Sequence, residues 1–306
     1  MWSPDNLRTK GALAVFHQAL EAGPSVWPLH AMTINSTTNA ETLVFPGFVP
    51  RPRQFLGDRQ FQGARDFTYT VTNNEYELSM IVDRKHWEDD QTGLINARFQ
   101  EMGETWREYK DSLFATLLTN GNVSGNNGWD GVVFHGGSRT IGGSGTIDND
   151  ITENIVDTAA ATTAEAQASA GLAWRTFSLF NDDQGRPFNA QAVTNMRVIC
   201  PPGHTGGFYG AMNATLTGGG DSNVFTPTIL KGVDSLAHLT TTTEVYFSAL
   251  GSVRKPFIYQ ERSALEVVVL GDAENVALHN GVMALTRQRF ILTYGEPRRS
   301  IYDIYT

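Results

Sequence analysis

At 306 residues and 41% hydrophobic content, the chain exceeds one average domain and can supply a sizeable core. A formal net charge of −9 argues against a general nucleic-acid binder, which carries a basic surplus, and the single cysteine, Cys200, excludes an intrachain disulfide. No apolar run approaches the ~20 residues of a membrane helix, and Met1-Trp2-Ser3-Pro4-Asp5 lacks the basic and apolar regions of a signal peptide.

Residues 6–22 read as a helix with Leu13, Phe16 and Leu20 on one face, ended by Gly23-Pro24. A short apolar stretch, Trp27 to Ile34, leads into an unusual segment. Glu41 to Thr70 carries Phe45, Phe48, Phe55, Phe61 and Phe67, yet Pro46, Pro50 and Pro52 break it. It also holds Arg51, Arg53, Arg59 and Arg65 and no lysine. The prolines exclude a helix or central strand, and the apolar content excludes a solvated linker. A two-stranded excursion cannot bury its aromatics on itself, so a partner surface is expected.

From Tyr76 the chain alternates, with Tyr76, Leu78, Met80 and Val82 on one side, which predicts a strand. Asp89 and Asp90 are N-cap candidates for a helix over 92–118, roughly 40 Å long at the α-helical rise. Its predicted stripe is Phe99, Met102, Trp106, Tyr109, Leu113 and Leu117, and Asn120-Gly121 closes it. Residues 120–150 are rich in Gly, Asn, Ser and Thr and read as loops and hairpin ends. Thr162 and Glu165 form a capping-box pattern before an Ala-rich helix through Trp174 and Phe177. Then follow a buried strand at Met196–Cys200, a helix over 206–214, and strands at 257–260, 265–270 and 289–294. The fold class is α+β, with a second lobe near 125–250 and a discontinuous first lobe completed by the C-terminal strands.

Candidate chemistry is thin. The glycine-rich run His135 to Gly145 lacks the Gly-Lys-Ser/Thr ending of a phosphate cradle and reads as a mobile loop. The seven histidines show no helical zinc spacing, so no metal and no cofactor is expected. Cys200, on an apolar strand, reads as a buried structural thiol rather than a nucleophile. Glu101, Glu104 and Glu108 share a helix face with Arg98, Arg107 and Lys110, the make-up of a solvated surface rather than a catalytic carboxylate pair. No catalytic residue is assigned. The loop arginines fit ion pairs to a neighbouring copy better than nucleic acid, since the chain is acidic. Glu88, Asp89 and Asp90 are the candidate acceptors on that neighbour.

Three short strings resemble the Mu-like phage major head subunit family, in order and spread over roughly residues 30–295. Gly47-Phe48-Val49-Pro50 with Phe55, Gly57 and Arg59 resembles its extended loop. Trp87 to Asp90 with Phe99 to Gly103 resembles its entry into a spine helix, and Lys255 to Arg262 resembles a third signature. The resemblance implies an HK97-type capsid fold: an N-terminal arm (1–36), extended loop (37–72), peripheral domain with a long spine helix (73–125 and 251–306) and axial domain (126–250). It implies a major head protein that self-assembles into pentamers and hexamers of an icosahedral virion shell. Phe45, Phe48, Arg51, Arg53, Phe55, Arg59, Phe61 and Arg65 would form the loop's subunit contact. Implied partners are many copies of itself, separate scaffold and portal proteins, and packaged dsDNA held without sequence-specific binding; no membrane is involved. Gly218-Gly219-Gly220 would be a flexible axial loop. The competing readings are a ring-forming tail or adaptor protein and a soluble enzyme with an unreadable site.

Overall fold

A computed structural model describes residues 4–46, 54–55, 57, 66–89, 93–136, 138–216, 223, 225–271 and 273–306. In chain order the elements begin with α1 (Pro4–Ala22), α2 (Trp27–His30), β1 (Ala31–Asn35), β2 (Ala40–Pro46), β3 (Asp66–Thr72), β4 (Asn74–Asp83), α3 (Arg84–Glu88) and α4 (Leu94–Thr119). The middle of the chain adds β5 (Arg139–Thr140), β6 (Thr146–Ile147), β7 (Asp150–Glu153), α5 (Thr163–Leu179), β8 (Met196–Cys200), α6 (Pro202–Asn213) and α7 (Phe225–Ile229). The last are β9 (Leu230–Ser235), β10 (Glu244–Ala249), β11 (Phe257–Leu270), α8 (Ala273–His279), β12 (Gly281–Tyr294) and β13 (Ser300–Tyr305).

The first lobe is a four-stranded sheet, order β1-β11-β12-β4, with α4 laid across it. The alternation seen from Tyr76 sets this contact: Val82 is buried and Tyr76, Leu78 and Met80 pack against the core, while Glu75, Glu77 and Ser79 face solvent. The predicted helical stripe is right at Phe99, Met102 and Trp106, all buried. Toward the C-terminus it drifts, so that Phe114 and Leu118 are buried while Tyr109 is 41% exposed. Trp106 Nε1 donates to Thr286 Oγ1 at 2.7 Å, which ties helix to sheet. On the other side of α4, α1 comes so close that a Cβ on Gly103 would lie 2.5 Å from the Phe16 carbonyl oxygen. Only glycine permits that crossing.

The second lobe is a five-stranded sheet, order β7-β13-β10-β8-β9, covered by α5 and α6. Phe177, Phe208, Phe247, Val198 and Val245 fill its core and are fully buried. The capping box at α5 is present: Thr162 Oγ1 accepts from the Glu165 amide and Glu165 Oε2 accepts from the Thr162 amide. We expect Thr162→Ala to lower stability by about 1 kcal/mol, the usual value of such a cap, read by denaturant unfolding.

Four expectations change. The expected strands at 257–260 and 265–270 are one strand, β11, whose register shifts between Glu261 and Glu266. The C-terminal residues do not all complete the first lobe, because β13 lies between β7 and β10 in the second sheet. Asp89 does not cap the long helix. Its N-cap is Gly93 at φ 75°, whereas Asp83 caps α3 by accepting from the Lys85 amide.

Finally, the described part of the glycine-rich run is tied into the buried polar interior at Arg139 rather than standing off as an open loop. Arg139 is 1% exposed, pairs with Asp130 at 3.1 Å, and donates to the carbonyls of Val133 and Phe134. Nearby, Asn149 Nδ2 donates to the carbonyls of Phe134, Pro297 and Ser300, and His135 is buried against Ser300 Oγ at 2.8 Å. Gly121, at the end of α4, packs against this region: a Cβ there would meet His135 Nδ1 at 2.3 Å.

Candidate functional site

The β2–β3 pair is a separate two-stranded ribbon, in register from Ala40 opposite Thr72 to Pro46 opposite Asp66. Its base is fixed by Asn73, which donates to Ser36 Oγ, Thr38 O and Asn39 O and accepts from Gln260 Nε2 at 2.9 Å. Glu41 accepts from the amides of Thr37 and Thr38 and from Ser36 Oγ, and these bonds hold its carboxyl at about 2. The ribbon therefore leaves the body at a defined point.

Phe45 corrects the sequence reading. It was expected at a subunit contact, but it is 7% exposed and stacks on Trp129 at 5.7 Å within its own chain. Phe67 lies 4.6 Å from the same indole, and Tyr69 donates to or accepts from Thr293 Oγ1 at 3.1 Å. The cover comes from Trp129, in a segment that reads only as loop, so no sequence pattern pairs the two. Phe55, beyond the ribbon, is 66% exposed. Phe48, Arg51, Arg53, Arg59, Phe61 and Arg65 lie outside the described residues, as do Asp90 and Gly218-Gly219-Gly220.

Of the candidate acceptors, Glu88 is exposed and already pairs with Arg84 at 2.7 Å, and Asp89 is exposed just after α3. On the same lobe, β4 and α4 border an apolar groove of about 280 Å³ lined by Tyr76, Leu78, Thr105, Trp106 and Tyr109. Among the described residues no group of His, Cys, Asp or Glu could hold a metal ion, and no helix is long and apolar enough to cross a membrane.

The two lobes are joined by buried polar contacts that sequence spacing does not reveal. His30 Nε2 lies 3.0 Å from Asp234 Oδ2, and Arg197 Nε donates to the same oxygen at 2.7 Å. Burial pushes the Asp234 carboxyl up, but the hydrogen bonds from Arg197 and His30 outweigh it and hold it at about 2. His30 itself is pushed down by burial, which outweighs its bond to Asp234. Cys200 is buried and its thiol is pushed up to about 12 by burial, as a structural thiol should be.

The model of the Mu-like prophage major head subunit gpT family matches residues 6–164, more than half of the chain. The chain belongs to that family. It is 32% identical over 106 residues to the major capsid protein of Escherichia phage Mu, covering 35% of each chain. It is 26% identical over 153 residues to the FluMu major head subunit of Haemophilus influenzae, covering 49% of each. The chain thus spans between a third and a half of these gpT relatives' length in the matched regions. Solved shells share its fold. The procapsid subunit of bacteriophage JBD30 superposes with a TM-score of 0.55 at 19% identity, covering 99% of this chain and 76% of that one. The virus-like particle of Pyrococcus furiosus gives a TM-score of 0.59 at 10% identity, over 96% and 98% of the two chains. The α+β fold is therefore of the HK97 capsid type, as the resemblance implies. The gpT family and these neighbours are named as head, capsid and particle proteins, none as an enzyme.

Proposed function

We propose that this gpT-family chain is the major head protein of a tailed phage, assembling through pentamers and hexamers into an icosahedral shell around dsDNA. The observation that carries the reading is the β2–β3 ribbon, anchored at its base on its own subunit and continuing into a segment whose aromatic Phe55 has no cover. A closed shell needs one tile to present several different surfaces to its neighbours around rotation axes. An outlying ribbon, a long-helix lobe and a separate second lobe supply such surfaces. In this reading residues 47–65 lie over an adjacent copy, with Phe48, Phe55 and Phe61 as apolar anchors and the four arginines reaching carboxylates such as Asp89. The first lobe, with α4, is the peripheral domain; the second lobe is the axial domain. Scaffold and portal are separate proteins, assembly takes place in the host cytoplasm, and the DNA is enclosed without sequence-specific contact.

Electron microscopy of the purified chain under gentle assembly conditions tests this. Icosahedral shells or separable five- and six-fold capsomers are expected, whereas a single closed ring of uniform size would favour a tail or adaptor protein. Residues 41–70 contain no lysine, so this segment offers no side-chain amine for a covalent cross-link between subunits. Assembled particles should therefore run as a single monomer band on a denaturing gel. A ladder of multimers would refute non-covalent closure.

A further inference from the structure

The lobes meet at a buried joint that can change its charge. His30 ends α2, directly before β1 of the first sheet, and is fully buried. Its ring stacks on Phe114 of α4 at 6.0 Å, and Nε2 meets Asp234 Oδ2 at 3.0 Å. Asp234 lies on β9, the edge strand of the second sheet, where Arg197 of β8 pairs with both of its oxygens. The carboxylate accepts, so a neutral His30 carries its hydrogen on Nε2. The other ring nitrogen, Nδ1, is buried and has no hydrogen-bond partner among the described residues. Further charged groups face the joint from the neighbouring elements. Lys255, ahead of β11, donates from Nζ to the Pro28 carbonyl. On α4, Asp111 Oδ1 is taken up by Ser25 Oγ and the amides of Val26 and Trp27 at the start of α2. Tyr209 of α6 acts on Arg197, and His238, after β9, is exposed.

With His30 neutral, one carboxylate and one guanidinium balance each other at the joint. A proton on Nδ1 upsets this twice. It creates a buried donor with no acceptor, and it brings a second positive charge to a carboxylate that Arg197 already holds. Burial is the largest influence on the ring and pushes it below the usual histidine value; Asp234 opposes this, and the Arg197 and Lys255 charges add to the fall. Asp234, held at about 2, stays ionised through mild acid. When the joint opens, Asp234 keeps Arg197 within its own sheet, so no carboxylate is stranded, while His30 reaches water and titrates near the ordinary 6.5. The closed joint therefore has its full stability above that value and loses it as pH falls below, because the open form binds the proton first. We propose that His30 is an acid-sensitive latch between the two lobes, which fastens α2 to β9 when neutral and releases them in mild acid. A buried histidine at a two-state contact is suited to such a role.

Amide hydrogen exchange of the purified full-length chain, read by mass spectrometry about one pH unit above and one below the ordinary histidine value and corrected for the intrinsic pH dependence of exchange, tests the latch. Peptides holding residues 26–32 and 232–238 should open more in acid, by up to about tenfold, the limit set by uptake of one proton. His30→Gln keeps a side-chain donor for Asp234 but cannot take up a proton, so it should lack this gain. His135 and His204 are buried as well, and whatever acid response they cause will be common to both proteins. A gain in His30→Gln equal to the parent's overturns the proposal. If circular dichroism shows that His30→Gln does not fold, the parent decides alone: a gain confined to the two junction segments supports the latch, and no gain, or an equal gain along the whole chain, overturns it. None of these readouts requires a shell to form, so the outcome is independent of the capsid reading.

Discussion

Replacing Phe48 and Phe55 together with serine is expected to leave a folded subunit that fails to build shells. Phe55 is 66% exposed, and nothing in the chain's own ribbon base depends on it. The base is held instead by Phe45 and Phe67 on Trp129 and by the Asn73 hydrogen bonds. Where an aromatic anchor is a hot spot of an interface, its loss costs about 2 kcal/mol or more. A shell repeats the same contact in every subunit, so a modest loss per contact becomes a large loss of assembly. Far-UV circular dichroism should be unchanged, while gradient sedimentation and microscopy should show few or no particles. Phe45→Ser is the contrasting case. Truncating a buried aromatic costs about 3–5 kcal/mol of fold stability, so this variant should unfold early instead of folding and failing to assemble. Unimpaired shell formation by the Phe48/Phe55 variant would remove the loop from the interface.

The contrast between Phe45 and Phe55 also marks what the sequence could reveal. Periodicity reports burial wherever an element is long and one-sided, as in α4 and β4, and the Thr162 box announces α5 because its chemistry is local. Burial that depends on a distant, irregular segment leaves no periodic trace. Trp129 covers Phe45 from a loop, and Arg139 is locked by Asp130 in a run whose glycines suggest mobility. In that run Gly143 passes so close to the chain at Asp183 that a Cβ would lie 3.1 Å from its carbonyl oxygen, and composition alone cannot separate that use from flexibility. The strand β13 was missed for a related reason. It is buried on both faces between two neighbours, and the polar Asp303 and Ser300 inside it disguise a central strand. The sequence singles out the segment by its aromatics and arginines, but that Phe45 is covered by its own chain while Phe55 is exposed depends on the tertiary fold.

Asp303 leads to the second large expectation, that Asp303→Asn will be more stable than the parent at neutral pH but not in mild acid. The carboxyl is fully buried in the second sheet, where Oδ2 accepts from Ser169 Oγ and Oδ1 has no partner. Burial raises it to about 7; the Ser169 bond opposes this, and the Glu153 and Asp150 charges on β7 add to the rise. In the unfolded chain an aspartate titrates near 3.9. Between these two values the folded state therefore holds the proton that the unfolded state has released. Stability then falls as pH rises through that window, and the loss is complete once Asp303 ionises in the folded state. A displacement of this size corresponds to at most about 4 kcal/mol. Asparagine is neutral throughout and its amide can donate to Ser169 Oγ, which itself accepts from Tyr305 at 3.2 Å. Denaturant unfolding of both proteins from pH 4 to pH 8 should show a difference that grows in favour of the variant up to about pH 7 and then levels. A difference that stays flat across the range would mean that Asp303 ionises in the folded protein as freely as in the unfolded chain, and that water reaches the interior of the five-stranded sheet.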